Sequence, residues 1–269
     1  MSAVAESLPF PVPRSRRRWI PYGRIGVALA CFALWQFGSY WMGKEWLPGP
    51  VATFARIWDL ALSAQLFRDS LVTFSEAAAG MILGGVGGAA LPFLLRLSPR
   101  LLKASEPFLS AAFGVPKLAL APLFILWLGI GIMTKIVFVA SIVFFLMFYN
   151  GMAGILSVDP RLVAMARVAG ASQWQVTRHI VWNTTVPFLF AGLKIALPRA
   201  ISGAVVGEFI AADSGLGWYI NNSRSLNDTV GVLAGVIVVT ILVIVVNAVL
   251  QRSQARSLAW RPVSRDMVV

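Results

Sequence analysis

Residues 159–223 read DPRLVAMARVAGASQWQVTRHIVWNTTVPFLFAGLKIALPRAISGAVVGEFIAADSGLGWYINNS. The first part is polar and separates two strongly apolar segments. The second part is an apolar span that carries Lys194, Arg199 and Glu208. Local chemistry predicts two short helices in the polar part. Asp159 can cap free N–H groups, and Pro160 suits the first helical position. The helix runs through Ala169, and Gly170 supplies the left-handed residue that ends it. Ser172 and Gln175 fit a capping box that opens a second helix. That helix is expected to run to about Trp182, with Pro187 opening the next span. A structured loop between membrane helices is the simplest alternative reading.

Outward from this stretch, the chain is too apolar for an ordinary soluble domain. Of 269 residues, 58% are hydrophobic and 13% charged, and several apolar runs reach the roughly 20 residues that cross a bilayer as a helix. The fold class is therefore an all-α polytopic membrane protein with six transmembrane helices. The helix pair of residues 159–182 lies between helices 4 and 5. The net charge of +12 reports topology, not nucleic acid. Arg14, Arg16, Arg17, Arg18, Arg24, Arg96, Arg100, Lys103, Arg161, Arg167, Arg178, Arg252, Arg256, Arg261 and Arg265 all fall on one side of six spans. On the other side, Lys44, Arg56, Arg68, Lys135 and Arg224 are matched by five acidic residues. That is the positive-inside pattern with both termini cytoplasmic. Residues 1–23 read as a disordered basic cytoplasmic tail, 24–251 as the transmembrane domain and 252–269 as a second basic tail. Cys31 is the only cysteine, so an intrachain disulfide and a cysteine zinc site are both excluded.

The expected spans are 25–42, 71–95, 107–128, 135–156, 186–211 and 229–250. The run after Pro50 has helical amphipathic spacing and is expected to lie at the outer interface. Gly80, Gly84 and Gly88 form a small-residue stripe for close helix packing, either in this chain or against a second copy. Pro116 and Pro122 should kink the third span, and a broken helix at membrane depth is tolerated where it is buried or lines a cavity. Both prolines are therefore candidates for a translocation path. Arg199 lies near the middle of the fifth span, where a charge is costly and a functional candidate by default. It either attracts an anionic solute or pairs with another helix. Glu208, also a candidate for the translocation path, lies roughly 13 Å further along a helix, too far for a direct pair with Arg199. Residues 212–228 are expected to be an outer loop.

The chemistry of an enzyme is missing. His179 is the only histidine, and no phosphate-binding loop or metal-ligand cluster occurs in the sequence. An integral-membrane enzyme lacks a constellation to act through. A self-sufficient secondary transporter would usually carry inverted repeats, and none is visible.

The quoted stretch resembles the permease subunits of bacterial ABC importers, in the nitrate/sulfonate/taurine-type branch of the binding-protein-dependent transport inner-membrane component family. That family's signature is Glu-Ala-Ala, three residues, Gly, nine residues, then Ile-x-Leu-Pro. Ala166, Gly170 and Ile180 match it, whereas Ala164, Met165, Trp182 and Asn183 depart from it. The resemblance resumes at Ala191-Gly192-Leu193, Gly207-Glu208-Phe209 and Ser214-Gly215-Leu216-Gly217. It also covers residues 116–131, and in all runs from about Leu47 to the end of the last span. It implies a homodimer in the bacterial inner membrane, served by an extracytoplasmic solute-binding protein and by separate ABC ATPase subunits. Those subunits use the ATP, and this chain binds no cofactor. Ala166, Arg167, Gly170, Ser172, Trp174, Gln175, Arg178 and Ile180 would then form a cytoplasmic coupling surface. The implied cargo is a nitrate-, sulfonate- or taurine-like anion. A thiamine-pyrimidine precursor or riboflavin is the alternative.

Overall fold

The computed structural model describes residues 20–257, so residues 1–19 of the expected tail of residues 1–23 and the end of the C-terminal tail lie outside it, while residues 20–23 begin a helix. Eleven α-helices are described: α1 Ile20–Met42, α2 Pro50–Leu62, α3 Gln65–Leu95, α4 Pro99–Gly114, α5 Ala121–Leu128, α6 Ile132–Leu156, α7 Pro160–Val168, α8 Gln173–Val176, α9 Trp182–Ala211, α10 Leu216–Ser225 and α11 Thr229–Ser257. Among the described residues, five helical segments are long and apolar enough to cross a membrane, and the number is six if one bent helix pair is counted as a single span. Helices α3, α6 and α9 form the centre. Their core includes Ala77, Val139, Val143, Met147, Leu197, Ala200 and Ile201.

The glycine stripe packs within this chain. A Cβ on Gly80 would lie 2.6 Å from Val139 Cγ1 and 2.9 Å from the Ile136 carbonyl oxygen. One on Gly84 would lie 2.8 Å from Ala140 Cα, and one on Gly88 would meet Met147 Cβ at 3.0 Å and the Phe144 backbone. Residues 136, 140 and 144 thus form a ridge on α6 that sits in the groove left by residues 80, 84 and 88 of α3. At the edge of the bundle, Trp35 of α1 donates to the Pro48 carbonyl at 2.9 Å. Arg56 of α2 pairs with Asp228 at 3.1 Å.

Three expectations need correction. The third span is not a kinked rod. Residues 99–114 and 117–128 are bent by 82°, with Val115 and Pro116 both extended. A residue before proline is pushed away from helical geometry, which explains the break. Pro122 starts α5 and does not kink it. Second, the fifth span does not begin near Pro187. From Gln173 to Ile210 the chain is one continuous 38-residue span, with a π-helical turn at Thr177–Val181. Asn183 Nδ2 and Thr184 Oγ1 donate to the His179 and Ile180 carbonyls at 2.8 and 2.9 Å. These side chains satisfy carbonyls where the hydrogen-bond register changes. Third, the outer loop contains helix α10.

A carboxylate latch holds α10. Glu208 is 1% exposed. Its Oε1 accepts from the Thr73 hydroxyl at 2.7 Å and its Oε2 from the Gly217 N–H at 2.5 Å. The Leu216 N–H donates to Thr73 Oγ1 at 2.9 Å, and the Gly215 N–H to Asp69 Oδ1 at 3.2 Å. The free N–H groups at a helix start are thus met by groups from α3 and α9. Gly215 has φ +106°, and a Cβ there would lie 2.6 Å from Glu208 Oε2, so only glycine fits.

Two outcomes follow from this packing. Gly84→Ala pushes a methyl group into the α6 backbone, and should cost about 1–3 kcal/mol by thermal unfolding of the detergent-purified protein. Thr73→Val conserves shape but orphans the Leu216 N–H and one Glu208 oxygen. It should cost about 1–3 kcal/mol and speed hydrogen exchange at the 215–217 amides.

Candidate functional site

The α7–α8 pair lies at the end of the bundle that also carries Arg96. Asp159 Oδ1 accepts the Arg161 N–H at 2.8 Å, and Pro160 opens α7. Gly170 ends it with φ +83°. The Gly170 N–H donates to the Arg167 carbonyl at 3.0 Å and the Ala171 N–H to the Ala166 carbonyl at 2.9 Å, the paired bonds of a Schellman turn. The Ser172–Gln175 capping box is complete: the Ser172 N–H donates to Gln175 Oε1 at 2.7 Å and the Gln175 N–H to Ser172 Oγ at 3.3 Å.

The two faces of the pair differ. Val163, Ala166 and Ala171 pack inward on Ile155, Val176 and Val181. Leu162, Met165 and Val168 point outward from α7 at helical spacing, and Val168 is 91% exposed. Trp174 of α8 is also exposed, at 69%. Arg167 and Arg178 are exposed beside it. A groove of about 310 Å³ runs between the helices, lined by Ala166, Gly170, Gln175, His179 and Ile180.

The eight expected coupling residues therefore divide by place. Trp174, Arg167 and Arg178 face outward. Ala166 packs inward and also borders the groove. Gly170, Ser172 and Gln175 build the turn and the cap, and Ile180 is half-buried. Leu162, Met165 and Val168 were not among the candidates. Their spacing of three was visible in the sequence, but nothing local said which stripe would turn outward.

Two contacts tie the segment that follows α8 to α3. Arg96 Nη1 donates to Thr177 Oγ1 at 3.1 Å. Phe93 and Trp182 have ring centroids 5.7 Å apart. Burial lowers the Arg96 pKa, and the neighbouring Arg167 charge lowers it further. These contacts link the end of α3 to the π-helical turn and the start of α9.

The candidates at membrane depth do not gather in one place. Pro116 and Pro122 are exposed at the break between α4 and α5. Arg199 is exposed, with no ion pair among the described residues. Glu208 is buried in the α10 latch. At the end opposite α7, an open cleft of about 710 Å³ lies between α3, α6, α9 and α10. Ser75, Asp213, Trp218 and Asn222 line its walls, and Glu76 and Lys135 lie at its base. The last two form a buried ion pair.

Similarity to known proteins matches this architecture. The chain is 34% identical to the riboflavin transport system permease protein RibX of Chloroflexus aurantiacus, over 91% of this chain and 94% of that one. It is 31% identical to the putative aliphatic sulfonates transport permease protein SsuC of Bacillus subtilis, over 85% of this chain and 84% of that one. A solved chain of the MetNI methionine ABC transporter in an inward-facing conformation shares the fold, with TM-score 0.61 and 16% identity. That match covers 74% of this chain and 97% of the other. The model of the family of binding-protein-dependent transport system inner membrane components matches residues 78–258, and this chain belongs to that family as a multi-pass permease subunit of an ABC importer.

Proposed function

We propose that α7 and α8 are the coupling element through which separate ABC ATPase subunits drive this permease. The observation that carries this is the exposed stripe of Leu162, Met165 and Val168, with Trp174 also exposed, on a fully capped helix pair. Isolated apolar side chains on a surface are ordinary, but an apolar stripe at helical spacing on a short exposed helix supports an interaction site. The flanking Arg167 and Arg178 add ionic contacts at its rim. From Gln173 the 38-residue span runs about 57 Å at 1.5 Å per residue. It can carry a displacement from the coupling element to the opposite end as one lever. Arg96 and Phe93 carry the same displacement into α3. ATP hydrolysis by the partner would thereby tilt α9 and α3 about the glycine-packed contact with α6, alternating access between the two ends.

The arginine distribution supports a cytoplasmic position for both termini and for the α7–α8 pair. The opposite end then faces an extracytoplasmic binding protein. A homodimer completes the path, and the exposed apolar surfaces of α4 and α5 are available for a second copy or for lipid.

For the cargo, the relatives support two readings. The sulfonate permease SsuC, together with the exposed Arg199, supports a small oxyanion such as a nitrate-, sulfonate- or taurine-like solute. The riboflavin permease RibX supports a heteroaromatic one, and a thiamine-pyrimidine precursor falls in the same class.

Burying one Met side chain is worth about 2 kcal/mol, roughly 30-fold in affinity. Met165→Asp should therefore lower recovery of the ATPase with the tagged permease by at least tenfold, while the permease stays monodisperse. Gly170→Val forces a branched residue into the left-handed region, at about 1–2 kcal/mol or more. It should uncouple ATP hydrolysis from uptake in proteoliposomes. Unchanged ATPase recovery and coupling in both variants would remove the docking role. Solute transport by the chain reconstituted alone would replace the importer with a secondary transporter.

A further inference from the structure

The cleft opposite the coupling element has a defined hydrogen-bonding character. The Lys135 ammonium meets Glu76 Oε1. Glu76 is 1% exposed, yet its Oε2 has no hydrogen-bond partner. A buried acceptor left unmatched is costly and calls for an explanation. The neighbouring Glu208 carboxyl group accepts from Thr73 and Gly217, one bond at each oxygen. Lys135 has three N–H donors, and Glu76 is its only ion-pair partner among the described residues. The base of the cleft therefore holds one unmatched acceptor, buried just beneath its surface, beside the Lys135 ammonium.

The walls add to this. Trp218 is half-buried and offers a flat apolar surface, and Asn222 and Ser75 are exposed polar groups. Asp213 is exposed on the rim. Of the charged residues that line the cleft, Glu76 and Asp213 are negative and only Lys135 is positive. The volume of about 710 Å³ lies within the roughly 300–1,000 Å³ typical of small-molecule sites.

We propose that this cleft receives the transported solute, and that it selects a molecule presenting a hydrogen-bond donor beside an acceptor. The donor meets Glu76 Oε2 and the acceptor meets Lys135 Nζ. Two chemistries satisfy this: a ring amide, whose N–H adjoins its C=O, and an amino-sulfonate zwitterion. An oxyanion that only accepts, such as nitrate or a plain alkanesulfonate, meets the Glu76 and Asp213 oxygens with like charge and no proton to share. That the bound molecule is the transported solute rests on the importer reading; the binding chemistry does not.

Saturation-transfer NMR on the full chain in lipid nanodiscs tests this without an ATPase, so it can fail while the importer reading stands. The probes are uracil, taurine and ethanesulfonate. Ethanesulfonate is taurine without its amine. Uracil or taurine should give saturable transfer, and which of them does so separates the ring amide from the zwitterion. Ethanesulfonate should bind at least tenfold more weakly. The combined Glu76→Leu and Lys135→Met variant removes the pair without leaving a lone charge, and should abolish the signal. Asp213→Lys, at an exposed position, should shift the preference toward ethanesulfonate even if the buried variant fails to fold. Absence of binding by all three probes, equal binding of ethanesulfonate, or a preference untouched by Asp213→Lys would overturn the assignment.

Discussion

The approach of α3 to α6 is the constraint on which the rest of the structure depends. In a bilayer, apolar surface gains little by leaving lipid for protein, so helices associate through close packing and hydrogen bonds. Gly80, Gly84 and Gly88 remove the side chains that would keep the two backbones apart, and the ridge at 136, 140 and 144 fills the space. This contact sets the register of everything near it. It brings Glu76 of α3 against Lys135 of α6. It also lets Thr73, one turn earlier, reach Glu208 of α9 and the start of α10. A shift of one residue between α3 and α6 would break the ion pair.

The second feature is mechanical continuity. The polar element at the basic end is not a loop hung between spans. Its second helix is the beginning of the span, joined through a π-helical turn at Thr177–Val181. Such turns often mark functional positions, because the extra residue widens the helix locally and frees a carbonyl. Here the freed groups are taken up by Asn183 and Thr184, so the joint is hydrogen-bonded and stiff. No linker separates Trp174 from α9.

Much of this was legible in the sequence. The caps were, because Asp159-Pro160, Gly170 and Ser172–Gln175 are governed by bonds within four residues, and the structure contains each one. The amphipathic α2 was legible for the same reason. The glycine stripe was legible as a packing face, but its partner was not, since a small-residue face says nothing about which helix fills it. The 82° break was only half legible. Pro116 announced a kink, but its size depends on Val115 and Pro116 both staying extended. Helix α10 was hidden for a different reason. Its sequence is short, polar and glycine-flanked, and it is held by Asp69 and Thr73, nearly 150 positions earlier in the chain.

The same logic explains why the charged residues within the spans divide as they do. A carboxylate at depth is tolerable when its oxygens are matched, and Glu208 has both matched within the subunit. It is a structural group, and its sequence context of Gly207 and Phe209 gave no hint of that. Glu76 is equally buried but only half matched. A buried ion pair is weak evidence for stability, because desolvation offsets its attraction, and apolar replacements are often neutral or better. An ion pair that also leaves an acceptor unmatched at the base of an open cleft is harder still to justify by stability alone. The two glutamates lie in one polar cluster on neighbouring helices, and the difference in how their oxygens are satisfied separates the one that holds the fold from the one that is free to meet a solute.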